Sequence, residues 1–217
     1  MIAFTDVSKS YATRSGRHEV LRGVNFTLQR GQALGICGHN GAGKSTLLRL
    51  IAGVEQPGGG RIERGMKVSW PIGYASAFQA SLTGADNVRF IARIYNRPIP
   101  ETLAFVDDFA ELGSYMAMPI RTYSAGMMAR LAFAASLAVE FDCYLVDEIT
   151  AAGDERFRQR CHAALTERRQ NGTLVMVSHD PHTLRLYCDR GAVLREGRLD
   201  LCDTLEEAIA EHFGAPV

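Results

Sequence analysis

The residues best suited to chemistry form a glycine-rich run that ends in a lysine and two hydroxyl side chains, Gly38-His39-Asn40-Gly41-Ala42-Gly43-Lys44-Ser45-Thr46. The run fits the pattern G-x-x-x-x-G-K-[ST]. Its glycines would let successive amides face inward, and a helix N-terminus would add partial positive charge beside them. Phosphate oxygens are the natural ligand: Lys44 would reach the β- and γ-phosphates, and Ser45 would complete the coordination of a Mg²⁺ ion. The alternative is a glycine-rich turn with a solvated lysine.

Two carboxylates and a histidine follow predicted strands. The apolar run 144–146 leads into Asp147 and Glu148, and His179 follows the apolar run 174–177. In parallel sheets such positions face a ligand crevice. Asp147 would hold Mg²⁺, Glu148 would act as general base on the attacking water, and His179 would contact the γ-phosphate and orient that water. The simpler readings are a solvated acidic turn and an incidental histidine.

The surrounding pattern predicts the elements that hold these residues. Apolar runs at 33–37, 144–146 and 174–177 alternate with helical patterns from Lys44 to about Ala52 and at about 155–170, which predicts a mostly parallel sheet. The alternation in 24–29 predicts an antiparallel strand near the N-terminus. Helical patterns around 85–95, 101–112 and 126–139 predict an inserted helical lobe. The three glycines at 58–60 predict a turn after a helix.

The composition limits the classes of function. The 217 residues are 47% hydrophobic, which fits one compact domain, and 24 basic residues balance 24 acidic ones, so no nucleic-acid partner is expected. Five scattered cysteines without a C-x-x-C pair argue against disulfides and zinc. Cys37, next to the loop, is either a thiol with a depressed pKa or an ordinary buried cysteine. No secretory signal is evident, and Pro71 and Gly73 break the uncharged stretch 68–85, so no membrane insertion is expected.

A second motif narrows the class of protein. The run Tyr123-Ser124-Ala125-Gly126-Met127 resembles the signature motif of ABC ATPases. In that family the serine and glycine at a helix N-terminus contact the γ-phosphate held by the opposite subunit. The resemblance implies that residues 124–127, Ser124, Ala125, Gly126 and Met127, bind ATP in trans, so hydrolysis needs a dimer. The commoner form is Leu-Ser-Gly-Gly-Gln, from which this chain departs at three positions.

Other landmarks of the family fall in the same order along the chain. Tyr11 looks like the aromatic residue that stacks on adenine, and Gln79 like the glutamine that senses Mg²⁺ and the membrane partner. Residues 151–154 look like the D-loop, in which Asp154 would cross the dimer interface. The alternatives are an edge-strand tyrosine and a loop glutamine.

The runs 69–73, 78–84 and 147–154 are similar to those of the ATP-binding subunits of bacterial capsular polysaccharide exporters. The resemblance implies an α/β fold with a P-loop NTPase (RecA-like) core. It implies one ABC ATPase domain over 1–217, with its core at about 1–79 and 140–217 and its helical lobe at about 80–139. It also implies ATP and Mg²⁺ as cofactors, a second copy of the chain and an integral membrane permease as partners, and a place at the cytoplasmic face of the inner membrane.

Three other functions remain open at this point. An O-antigen exporter ATPase often carries an extra carbohydrate-binding domain, which is not expected in a chain that stops at Val217. A soluble ABC ATPase of DNA repair or translation would show tandem halves, coiled-coil insertions or a basic surface. A small-molecule kinase with a phosphate loop would not need the 123–127 motif.

Overall fold

The computed structural model describes residues 1–14, 16–74, 78–147 and 154–214. Its strands are β1 (Ile2–Thr13), β2 (Gly16–Leu28), β3 (Ala33–Cys37), β4 (Gly59–Arg64), β5 (Val68–Ile72), β6 (Cys143–Asp147), β7 (Thr173–Val177), β8 (Arg190–Arg195) and β9 (Arg198–Leu201). Its helices are α1 (Lys44–Ala52), α2 (Gly84–Ile94), α3 (Ile99–Ala110), α4 (Ala125–Leu137), α5 (Glu155–Asn171), α6 (Pro181–Tyr187) and α7 (Leu205–Phe213). Short 3-10 turns lie at Gly113–Ala117 and Ile120–Thr122.

The larger sheet has the order β5-β6-β7-β3-β8-β9. Strand β3 pairs in parallel with β7 and β8, and β6 pairs in parallel with β7, while β9 closes the edge against β8 in antiparallel fashion. Every residue of β3 and β7 is buried, as expected for inner strands covered on both faces. The predictions of an α/β fold and a mostly parallel sheet are therefore confirmed.

The smaller sheet is antiparallel, in the order β2-β1-β4, and confirms the predicted antiparallel region. The prediction of a turn at 58–60 is wrong, because β4 begins at Gly59. Gly60 has a φ of +78°, and a Cβ at this position would lie 2.1 Å from the carbonyl oxygen of Asp6. The glycine therefore lets two strands approach closely instead of ending the strand.

The described residues form two compact units. The first lies within Met1–Pro71, Phe141–Glu148 and Glu167–Val217, and the second within Ile72–Glu140 and Ile149–Thr166. In the first unit, apolar side chains of β1, β2, β3, β6 and β7 enclose the buried face of α1, including Leu47, Leu50 and Ile51. This core fixes the start of α1 relative to the end of β3, where the glycine-rich run lies.

The second unit is built on α2, α3 and α4. Thr83 caps α2 by accepting a hydrogen bond from the Asp86 N–H at 3.0 Å. Phe109 stacks on Phe133 with ring centroids 6.0 Å apart and meets the edge of Phe157 at 5.9 Å. The predicted helices are present, although α3 begins two residues before the predicted 101. Among the described residues, no helix is both long enough and apolar enough to cross a membrane.

Candidate nucleotide-binding site

The glycine-rich run connects β3 to α1 as the sequence predicts. Gly43 is the N-cap of α1 in a left-handed conformation, with φ of +107°, and Gly41 has φ of +83°. A Cβ at Gly38 would lie 2.5 Å from the carbonyl oxygen of Leu194, whereas a Cβ at Gly41 would meet no described atom within 4 Å. The backbone therefore needs glycine at 38 and 43 to form the loop, and Gly41 leaves open space on it.

Lys44 lies inside the loop instead of projecting into solvent. Its side chain is 9% exposed, and Nζ donates to the carbonyl oxygens of Gly38 at 2.5 Å and His39 at 3.0 Å. An ammonium group has three donors, and these bonds account for two of them. The solvated lysine of the alternative reading is therefore wrong, because the ammonium group is buried and bonded to carbonyl oxygens of the loop.

The hydroxyl residues after Lys44 differ in exposure. Ser45 is exposed at the start of α1, while Thr46 is 6% exposed and its Oγ1 accepts a hydrogen bond from Arg49 Nη2 at 3.1 Å. Ser45 is therefore the hydroxyl available to a ligand at the loop. Thr46 is bonded within the chain.

Asp147 and His179 lie at the same edge of the larger sheet as the loop. Asp147 is the last residue of β6 and pairs in register with Val177, the last residue of β7, which in turn pairs with Ile36 of β3. His179 follows β7 by two residues and is exposed, and Asp147 is half-buried. Parallel strands present their carboxyl ends at one edge, so Asp147, His179 and the loop all lie at or follow strand ends at the edge where ligands of such sheets bind.

The oxygen atoms at this edge are suited to Mg²⁺. The Ser45 hydroxyl and the Asp147 carboxylate are hard oxygen ligands, and Mg²⁺ in phosphate sites uses one or two such groups together with phosphate oxygens. No cluster of three His, Cys, Asp or Glu side chains that could hold a metal occurs within the described ranges. Glu148, the predicted general base, lies outside the described residues.

Tyr11, the residue predicted to stack on adenine, lies on β1 in the first unit. Its hydroxyl donates to Glu55 Oε2 at 2.5 Å, and its ring is half-buried. The cross-strand partner of Tyr11 is His18. His18 also lines a cavity of about 270 Å³ whose wall includes Gly41 and Ala42 of the loop. A cavity thus extends along the loop from the strand position opposite Tyr11.

The signature-like run lies at the start of α4 in the second unit. Ser124 is the N-cap, and its Oγ accepts a hydrogen bond from the Met127 N–H at 3.2 Å. Within the part of the chain that the structure describes, a Cβ at Gly126 would meet only Ser124 Oγ, at 3.9 Å. Packing against the described residues therefore gives no reason for a glycine at position 126. The same helix end offers main-chain amides of Ala125 and Gly126 to an anion.

The other two predicted residues of the second unit are held by local contacts. The Gln79 N–H donates to Asn87 Oδ1 at 2.8 Å, and the Gln79 side chain is exposed. Asp154 Oδ1 accepts from the Phe157 N–H at 2.9 Å, and Oδ2 lies 2.9 Å from Arg130 Nη2. The Phe157 N–H and the Arg130 charge lower the pKa of the Asp154 carboxyl. Residues 151–153 of the predicted D-loop lie outside the described residues.

Cys37 lies immediately before the loop, and His212 of α7 contacts the loop at His39. The sequence predicts two alternatives for Cys37 and does not single out His212. Cys37 is fully buried, and burial raises the pKa of its thiol to about 11, so the alternative of a depressed thiol pKa is wrong. His39 contacts His212 of α7, with ring centroids 4.8 Å apart. Burial, followed by the charges of His39 and Lys44, lowers the pKa of His212. Nothing in the sequence pattern links residues 39 and 212.

The residues predicted for the site thus belong to two different units. The loop, Tyr11, Asp147 and His179 belong to the first unit, and Gln79, the 124–127 run and Asp154 belong to the second. The strand, loop and helix with acidic and imidazole groups at the same sheet edge define the fold as a phosphate-loop α/β fold.

Comparison with known proteins identifies the family. The family model described as "ABC transporter" matches residues 21–151. The capsule polysaccharide export ATP-binding protein CtrD of Neisseria meningitidis serogroup B is 49% identical, with 100% of each chain covered. The polysialic acid transport ATP-binding protein KpsT of Escherichia coli is 46% identical, with 98% of each covered. The chain belongs to the ABC transporter family, as an ATP-binding domain, and the predicted resemblance is confirmed.

The fold is found in solved structures as well. A dimeric ATP-binding cassette in a post-hydrolysis state, bound to ADP and phosphate, superposes with a TM-score of 0.81 at 22% identity, covering 94% of this chain and 99% of that one. An O-antigen export ATP-binding protein of Klebsiella pneumoniae is 32% identical over 89% of this chain and 80% of its own length. The capsule and polysialic acid proteins are thus more similar to this chain than that O-antigen protein is.

Proposed function

We propose that the chain is the ATP-hydrolysing subunit of an ABC exporter that moves capsular polysaccharide across the bacterial inner membrane. The observation that supports the proposal is that the loop around buried Lys44, Asp147 and His179 all lie at or follow strand ends at one edge of the larger sheet. The full-length similarity to export proteins named for capsule polysaccharide and polysialic acid supports the choice of cargo.

In this proposal the phosphates, the metal ion and the adenine ring of ATP are each bound by different residues of the chain. The loop amides from 38 to 45 hold the phosphates, and Lys44 exchanges its carbonyl contacts for phosphate oxygens. Ser45 and Asp147, with Gln79, would hold Mg²⁺, which would neutralise the negative charge of the phosphates during hydrolysis. Tyr11 stacks on the adenine ring.

Hydrolysis requires a second copy of the chain. Ser124 and the amides of Ala125 and Gly126 of one copy cap the γ-phosphate held by the other, and Met127 and Asp154 lie at the same interface. Glu148 takes a proton from the attacking water, and His179 orients that water. ATP therefore favours a closed dimer, and the Gln79 region passes closure and reopening to an integral membrane permease. The chain itself is peripheral, at the cytoplasmic face.

Turnover measurements on purified chains test the proposal. Wild-type protein should release phosphate from ATP, Lys44→Ala should lose ATP affinity, and Glu148→Gln should keep affinity while losing turnover. Equal hydrolysis rates for Glu148→Gln and wild type would refute the role of Glu148. Recovery of a multispanning protein with the tagged chain from detergent-solubilised membranes supports the exporter. Recovery of ribosomes or DNA alone would contradict it.

A further inference from the structure

The hydroxyl of Tyr11 is hydrogen-bonded to a carboxylate and to a guanidinium group. It donates to Glu55 Oε2 at 2.5 Å and accepts from Arg49 Nη2 at 3.3 Å, and Arg49 Nε is 2.6 Å from Glu55 Oε1. Arg49 is in the last turn of α1, and Glu55 lies just after that helix. A tyrosine on a strand is thus bonded at its far end to the helix that begins at the phosphate loop.

Lys9 holds the same cluster from the side of the strand. Its Nζ is 3.3 Å from Glu55 Oε2, donates to the Gln56 carbonyl oxygen at 2.7 Å, and lies 5.3 Å from the centroid of the Tyr11 ring. Burial alone would raise the pKa of the Glu55 carboxyl, but hydrogen bonds from Tyr11, Arg49 and Lys9 hold that pKa below its usual range. Glu55 therefore stays ionised at neutral pH and accepts all three bonds.

The cluster continues to the phosphate loop through Arg49. The guanidinium that contacts Tyr11 also donates to Oγ1 of buried Thr46 at 3.1 Å. Thr46 is two residues beyond Lys44. One guanidinium thus connects the tyrosine of β1 to the first turn of α1, so the ring and the loop are fixed relative to each other.

We propose that Glu55 and Arg49 are positioning residues that hold the Tyr11 ring at a set distance from the phosphate loop, and thereby determine how much the base contributes to nucleotide affinity. The inference rests on the proposed function, in which Tyr11 stacks on adenine. A ring fixed before binding loses less side-chain freedom on stacking than a ring that samples several rotamers. The base should therefore bind more tightly to the fixed ring.

An ion pair that only stabilised the end of α1 would affect nucleotide binding differently. Loss of such a pair would weaken binding of the phosphates and the base alike, or would lower thermal stability alone. Loss of a positioning pair should weaken only ligands that carry a base. It should also have no effect once the tyrosine ring is gone, because residues that act through each other are not additive.

The test is isothermal titration of the full 217-residue chain with ATP and with inorganic tripolyphosphate, which has no base. Glu55→Ala and Arg49→Met should each raise the Kd for ATP about three- to tenfold, the range expected when one more side chain must be immobilised on binding. Their Kd for tripolyphosphate should match that of the wild type. Glu55→Gln, which still accepts from the Tyr11 hydroxyl, should recover most of the ATP affinity.

Two further variants complete the test. In a Tyr11→Ala background, Glu55→Ala should change the Kd for ATP no further. Glu206→Ala, which removes the comparable Arg185–Glu206 pair with its contacts of 2.7 and 2.8 Å, should leave both affinities unchanged. Unchanged ATP affinity in Glu55→Ala, an equal loss for tripolyphosphate, or a loss that persists without the tyrosine would each overturn the inference. A wild-type chain that binds neither ligand would instead refute the proposed function, and the inference with it.

Discussion

The substitution Gly126→Ala tests whether this glycine is required for folding or for contact with ATP that a second copy of the chain holds. Among the described residues, a methyl group at position 126 would meet only Ser124 Oγ, at 3.9 Å, which is ordinary van der Waals contact. The position lies in the first turn of α4, where replacing glycine by alanine removes unfolded-state entropy. We therefore expect the free energy of unfolding to be unchanged or to rise by up to about 1 kcal/mol, which is roughly 2–4 °C in Tm.

The effect on function should be large despite this. The amide of Gly126 is proposed to approach a phosphate oxygen held by the second copy, and a methyl group beside the amide would keep that oxygen away. Loss of one hydrogen bond to a charged oxygen costs about 1.5–3 kcal/mol, which is about a ten- to hundredfold fall in kcat. The Kd for ATP of the monomer should not change, because the loop of the first unit is intact.

Calorimetry measures the thermal stability, titration measures the Kd for ATP, and steady-state phosphate release measures kcat. Gly59→Ala is a matched control, because a Cβ at position 59 would likewise avoid any close contact with the described residues, and Gly59 lies in β4, outside the 124–127 run. A Gly126→Ala chain that hydrolyses ATP at the wild-type rate would refute the reasoning. So would a clear loss of thermal stability, which would show that the glycine serves the fold.

Two further predictions follow from buried groups of the first unit. Gly38→Ala should destabilise the chain by about 1–3 kcal/mol, because its Cβ would lie 2.5 Å from the Leu194 carbonyl oxygen and main-chain atoms must move; an unchanged unfolding midpoint in urea would contradict this. Burial raises the pKa of Cys37 to about 11 and that of Cys188 to about 12, above the ordinary 9.0, so the unfolded chain ionises first as pH rises. The contribution of these thiols to the free energy of unfolding should therefore be fully present below about pH 9 and fall progressively from there through about pH 11–12. Urea midpoints that stay constant over this pH range under reducing conditions would contradict the raised pKa values.

The inner strands were predictable because burial on both faces leaves a continuous apolar run. Strands β3, β6 and β7 are such runs, and their helices follow at the expected places. Strand β1 was not predicted, because its register with β2 shifts between Phe4 and Val7 and twice more before Ser10, which breaks the alternation of apolar and polar residues. The glycines of β4 look like a turn, although close approach to β1 is what requires Gly60.

The site was predictable where its residues are consecutive in the chain. The loop 38–45 and the run 123–127 are local patterns, and each forms its predicted loop or helix start. The contacts of Tyr11 were not predictable, because Lys9, Arg49 and Glu55 come from a strand, a helix and a turn with no fixed spacing. Only the pairing of β1 with β2 and β4 and the packing of α1 bring them together.

Mixing two impaired variants tests most directly whether each ATP site is shared between two copies of the chain. Lys44→Ala should lose its own phosphate loop, and Gly126→Ala should lose the cap that it gives to a partner. In an equimolar mixture about half the dimers are mixed, and each has one complete site, so about one quarter of wild-type phosphate release should return. A mixture no more active than the average of the two variants measured alone would contradict the claim that each ATP is bound between two copies.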